Sequence, residues 1–204
     1  MLNALLRWWH SRNNDRRIRK HGWTAIYVGD YVSAPTWVYT VGIDETLGQP
    51  ELVIFDVPIE SANEVLWRAF QELKQGLLVL EDGKPWLIGE SEHPVVWRRV
   101  HRTQVESPAG WFTLAEMRRA LHTGQMSGLE VFQLVLSDRE GRLPWEPGYD
   151  EALRAFQPAL YLPLTGNDGE PMSLPGGRPV SPRRRIAPRR SGRPSRYRAP
   201  PRPW

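Results

Sequence analysis

The side chains with the best claim to chemistry are Tyr39, Thr40, Glu51 and Asp56 in the first third of the chain, with Asp138 and Trp145 much later. Brought together, Tyr39 and Trp145 would form an aromatic floor beside the hydroxyl of Thr40 and the carboxylates of Glu51 and Asp138, a small pocket able to orient a ligand. The same residues also have a structural reading. Tyr39 and Trp145 would be core aromatics, Gly42 and Gly141 turn residues, and Glu51 a cap or ion-pair partner at the start of a strand. Glu51 and Asp56 make a poor acid/base pair in either case, because five residues apart on a strand they point to opposite faces.

Other chemistries find less support. The five histidines, His10, His21, His93, His101 and His122, lack the spacing of a helical zinc site. A metal at His93 and His101 with Glu90 or Glu92 is the weakest of these readings, and no metal or cofactor is expected. His21 falls in the last turn of a helix, where its charge suits the helix dipole. There is no nucleophile elbow, phosphate-binding glycine loop or dinucleotide fingerprint. The chain has no cysteine, which removes disulfides, thiolate metal sites and a thiol nucleophile and suits a reducing cytoplasm.

The elements that must position these residues are legible from periodicity. Trp37, Tyr39 and Val41 alternate with Val38, Thr40 and Gly42 as a strand, residues 44–48 read as a turn, and residues 51–56 resume the strand pattern. A helix follows, with Ala62, Val65, Leu66, Ala69, Phe70 and Leu73 on one face and Gly76 as its stop. Residues 23–28 form an earlier strand. A hairpin from Leu77–Leu80 through a turn at 81–84 to Trp86–Ile88, and strands at 95–100 and 129–136, complete the sheet. Thr113 and Glu116 have capping-box spacing, Phe112 and Met117 the positions of a hydrophobic staple, and Gly124 ends the helix between them. Pro144 and Pro147 exclude regular structure there, so this stretch is expected to be an ordered loop held by Trp145. The expected fold is α+β: a single compact domain with a mainly antiparallel or mixed sheet and two or three helices.

Tyr39-Thr40-Val41-Gly42 followed by Gln49-Pro50-Glu51-Leu52 resembles the paired YTVGL and HPEL signatures of the bacterial family called domain of unknown function 4262. His21-Gly22-Trp23 is similar to the family's opening and Phe132-Gln133-Leu134 to its late strand. Asp138, Gly141, Pro144, Trp145 and Gly148 are similar to its D-x-x-G-x-x-P-W close, and Gln157, Pro158 and Leu160 to its Q-P-x-L. The resemblance spans roughly residues 15 to 162 and implies a fold and no reaction. Ile43, Gln49 and Leu143 depart from the usual Leu, His and Phe, and Gln49 cannot supply the proton chemistry of a histidine. The strand-turn-PEL organisation also resembles, over that central motif alone, bacterial suppressor-of-fused-like domains, some of which act as immunity proteins.

Charge divides the chain into three. Residues 1–20 carry six basic side chains against Asp15, residues 21–170 carry eleven basic against 22 acidic, and residues 171–204 carry ten Arg with no acid. The organisation read from this is a basic amphipathic helical extension at 1–20, a globular domain at 21–165 and a disordered tail at 171–204. Leu2, Leu5, Leu6, Trp8 and Trp9 would form one face of the extension, for packing or for a membrane surface. Arg7 interrupts the N-terminal apolar run and no small-residue cleavage site follows, so no signal peptide is expected; nothing approaches ~20 consecutive apolar residues, and a soluble, cytoplasmic protein is expected. Eight Pro and ten Arg in residues 175–204 leave no core to offset ordering entropy. Arg183, Arg184, Arg185, Arg189 and Arg190 could contact nucleic-acid phosphates with Tyr197 or Trp204 stacking on bases, or the tail could be solvated beside an acidic domain that repels polyanions.

Three functions follow. The first is a non-enzymatic module that binds another protein or a small ligand, which we favour; the second is an enzyme with a pocket near Tyr39, Thr40 and Glu51; the third is nucleic-acid binding through the tail. Oligomeric state is beyond the sequence.

Overall fold

The computed structural model describes residues 2–30, 33–88, 95–107, 109–125 and 127–164. The arginine tail, with Arg183, Arg184, Arg185, Arg189 and Arg190, lies outside the described residues, as do Glu90, Glu92 and His93 and the side chains of residues 2–11.

A helix, α1 (Leu2–His21), leads into a six-stranded mixed sheet of order β1-β2-β3-β6-β5-β4. The strands are β1 (Thr24–Asp30), β2 (Ser33–Val41), β3 (Glu51–Phe55), β4 (Lys84–Trp86), β5 (Val95–Arg99) and β6 (Val131–Val135). Only β3 and β6, at the centre, pair parallel, and this α+β arrangement matches the class expected from the sequence. Every side chain of β3 and β6 is buried, as central strands covered on both faces must be. Among the described residues no helix is long and apolar enough to cross a membrane.

Each face has its own apolar cluster. Leu52, Ile54, Phe132, Leu134 and Trp97 point to the face covered by α3 (Ile59–Lys74), which contributes Ala62, Leu66, Ala69, Phe70 and Leu73. Tyr39, Val53, Phe55 and Val131 point to the other, where Ile18 of α1, Phe112, and Ala115 of α5 (Thr113–Thr123) close over them. The spacing of apolar residues predicts α3 correctly, and its end is a Schellman turn. Gly76 N–H donates to Leu73 O at 3.1 Å and Leu77 N–H to Glu72 O at 2.8 Å, with Gly76 at φ 71°.

That turn accounts for one departure from the sequence reading. Leu77 to Leu80 do not form a strand; they leave the helix stop and bury Leu78 in the core beneath α3. The partner of β4 is therefore β5, with Trp86 opposite Val95, and Gly83 N–H extends the pairing to Trp97 O. Three further helices are too short to register as a period: α2 (Ile43–Leu47), α4 (Arg102–Val105) and α6 (Glu151–Arg154). His101 Nδ1 caps α4 by accepting from Thr103 N–H, and Asp150 caps α6 by accepting from Ala152 N–H.

The C-terminal strip is stitched to β6 by two glutamines. Gln157 Oε1 accepts from Leu136 N–H at 2.7 Å and its amide donates to Leu136 O at 3.1 Å, as a backbone neighbour would. Gln133 Oε1 accepts from Leu160 N–H and its amide donates to Pro158 O. The Q-P-x-L residues are thus an architectural seam.

Replacing fully buried Leu66 by Ala is expected to cost about 2–5 kcal/mol in urea denaturation. Leu77→Ala, at a side chain 73% exposed, is expected to stay within about 0.5 kcal/mol of wild type.

Candidate functional site

The regular β2–β3 register ends at Tyr39 opposite Val53. One residue further on the strands part, and Leu52 N–H donates to the Thr40 hydroxyl at 2.8 Å. Into this opening goes the side chain of Glu51, which is 2% exposed. Thr40 Oγ1 donates to Glu51 Oε2 at 2.5 Å, and Glu51 Oε1 accepts from Gly42 N–H at 2.7 Å and Asp44 N–H at 3.2 Å.

Residues 44–48, expected to be a turn, are instead mostly the single helical turn of α2, and Glu51 supplies the acceptor that its first N–H groups need. Gly42 permits the change of direction. Its φ is 109°, and a Cβ there would lie 3.0 Å from Ile18 Cγ2, so glycine is needed both for the left-handed backbone and for the approach of α1.

Burial pushes the Glu51 carboxyl up to about 7, against the opposing pull of its hydrogen bonds from Thr40, Gly42 and Asp44. Tyr39 lies on the sheet face that carries α5, edge-on to Phe112 at 5.7 Å, and its hydroxyl accepts from Leu114 N–H at 3.4 Å. Burial pushes that phenol up to about 12. Tyr39 takes the capping role expected of Thr113, whose hydroxyl instead donates to Gly110 O; Phe112 is the N-cap residue and no side chain of the expected box caps it. The staple is absent too, since Phe112 is fully buried while Met117 is 50% exposed.

Charges the sequence reading did not single out surround this centre. Arg118 holds Glu45 through two hydrogen bonds of 2.6 and 3.1 Å and also pairs with Asp15 of α1; Arg119 holds Asp44 at 2.6 Å. The hydrogen bond from Arg118 holds the Glu45 carboxyl below its ordinary value. The void enclosed by Gly42, Glu51, Ala115, Arg118 and His122 is about 10 Å3, room for one water.

Thr40 and Glu51 therefore meet, with Tyr39 nearby. The structure does not bring Asp138 and Trp145 to them. Tyr39, Val53, Gln133 and Arg98 form one row across β2, β3, β6 and β5, and Trp145 sits at the far end of it, 5.0 Å over the guanidinium of Arg98 with Tyr161 against its edge. Three strand spacings, about 14 Å, separate it from Tyr39, so the expected aromatic floor does not form. Asp138 instead organises its own loop, accepting from the N–H groups of Glu140, Arg142 and Asp150 and from the Arg142 guanidinium. Burial alone would raise its pKa, but these bonds prevail and hold it below the ordinary value. The loop expected to hang on Trp145 is held mainly by Asp138. Asp56, at φ 53° beyond β3, and Gln49 are both exposed.

Because the folded-state pKa of Glu51 is raised from 4.5 to about 7, the native state binds its proton more tightly than the unfolded chain. The stability this contributes is complete below the unfolded value and is lost as pH rises through the folded one. Relative to Glu51→Gln, wild type should lose roughly 3 kcal/mol between about pH 4 and about pH 8, read from urea denaturation at each pH.

Comparison with curated proteins and with solved structures finds no match. The family described as Domain of unknown function (DUF4262) matches residues 17–150, which takes in α1 from its Ile18 contact, the Thr40–Glu51 junction and the Asp138 loop. On that match, over more than half of its length, the chain belongs to the DUF4262 family.

Proposed function

We propose that this domain is a non-enzymatic protein-binding module whose contact surface is the outer face of α5. The observation that carries the reading is the orientation of that helix. On an ordinary surface helix the apolar stripe faces the core and the charges face water. In α5, Arg118 and Arg119 turn toward α2 and α1 to form their ion pairs, Ala115 packs on the sheet, and the outward side presents Leu114, Met117 and Leu121. These three, at i, i+3 and i+7, are 41%, 50% and 82% exposed.

A contiguous apolar face on a helix held rigidly from beneath suits a partner that presents an apolar groove or helix. Glu51 gives the enzyme reading less support, since both its oxygens are engaged by internal donors and the void beside it has room for a water molecule and no substrate.

The double variant Met117→Glu/Leu121→Glu tests this. It is expected to keep the wild-type circular dichroism and melting temperature, because both side chains are solvent-facing. It should lose a protein that wild type retains from host lysate after nuclease treatment, and a chain ending at Glu170 should still retain that protein. Equal retention by the double variant, or retention that needs residues 171–204 and disappears with nuclease, would overturn the reading.

A further inference from the structure

Among the described residues a second feature is lined by none of α5. Where the C-terminal ends of α1 and α3 approach α2, a recess of about 380 Å3 opens, with Phe70 on its wall and the backbone of Gly22 at the junction. That volume lies within the range of small-molecule clefts. Gly22 has φ 89°, and a Cβ there would stand 2.7 Å from Phe70 Cζ, so only glycine lets the end of α1 settle against α3 in this way.

At this recess the end of the basic helix α1, with Arg19, Lys20 and His21, meets Lys74 of α3, on the edge of a stretch, residues 21–170, that carries twice as many acidic as basic side chains. Among the described residues Arg19, Lys20 and Lys74 form no ion pair. Glu45, the one carboxylate in the lining, is committed to Arg118, and the Thr46 hydroxyl is committed to Gly22 O at 2.6 Å. A helix C-terminus attracts a cation, but each helix end carries only about half an elementary charge. Two ends do not account for three unpaired cations and an imidazole at one hollow.

We propose that this recess binds a small, multiply charged organic anion, a phosphate ester or a polycarboxylate, with its charges among Arg19, Lys20 and Lys74 and its apolar body against Phe70. The acidic surroundings select for size. A long polyanion would lie across a repelling surface, whereas a compact anion meets three cations whose summed charge exceeds that of the two helix ends.

Two probes separate the chemistries, inorganic pyrophosphate for phosphate and citrate for carboxylate, each titrated into the full chain and followed through backbone amide resonances. The expected result is a saturable shift at the amides of Gly22, Thr46 and Lys74 with at least one probe, the tighter probe assigning the class. In Lys20→Glu/Lys74→Glu, both at exposed positions, the affinity should fall about tenfold or more while the dispersion of the spectrum is kept, and Lys20→Arg/Lys74→Arg should restore it. No saturable shift with either probe at millimolar concentration, the same shift with chloride at matched ionic strength, shifts confined to the arginine tail, or equal affinity in the charge-reversed variant would each overturn the proposal.

Discussion

The carboxylate of Glu51 is the constraint on which the rest of this architecture depends. It separates the ends of β2 and β3 and satisfies the backbone N–H groups of Gly42 and Asp44. By doing so it turns a short polar stretch into helix. Once α2 exists, Asp44 and Glu45 have fixed positions from which Arg119 and Arg118 can be held, and Arg118 reaches on to Asp15. One buried group thereby sets the positions of α2, α5 and α1 relative to the sheet. A hydrogen bond contributes about 0.5–1.5 kcal/mol to a neutral group and about 1.5–3 kcal/mol to a charged one, and an unsatisfied buried acceptor costs about 1–3 kcal/mol. The arrangement therefore holds only while all three donors are in place.

The family motifs acquire physical meanings in this light. Tyr39 caps α5, Thr40 and Glu51 make the junction, and Gly42 supplies the left-handed turn. Asp138 gathers the N–H groups of a loop, and Gln157, beyond the matched residues, pairs with Leu136 as a backbone neighbour would. These are devices for closing a fold whose central strands are short and whose connections are irregular. The surfaces proposed for recognition, the outer side of α5 and the recess at Phe70, lie largely outside those motifs.

This division explains how much the sequence disclosed. Long elements with a repeating period, α3 and the strands β1, β2, β3, β5 and β6, were readable because alternation or 3.6-residue spacing reflects burial directly. The reading of Glu51 as a cap or partner at a strand start was one of two left open, and the second half of the first pocket, Trp145, was misplaced because the two motifs share a row of the sheet but not a neighbourhood. The capping box of α5 misled because its spacing is local, while the acceptor actually used belongs to Tyr39, seventy-five residues away from Leu114. Leu77 to Leu80 looked like a strand because a buried leucine after a Schellman turn has the same composition. Arg118 and Arg119 were passed over for the converse reason: charge on the inner face of a helix can be interpreted only when its partners are known.

The inversion of α5 also fixes how the domain must respond to its ionic medium. Added electrolyte screens the partly buried pairs beneath the helix much less than exposed ones, so its seat on α2 and α1 weakens only gradually. Strongly hydrated anions such as sulfate at the same time favour burial of the leucine and methionine side chains above it. The two sides of one helix thus pull in opposite directions as ionic strength changes. The helix is anchored by charge on one side and apolar on the other, and salt acts on the two sides through different physics.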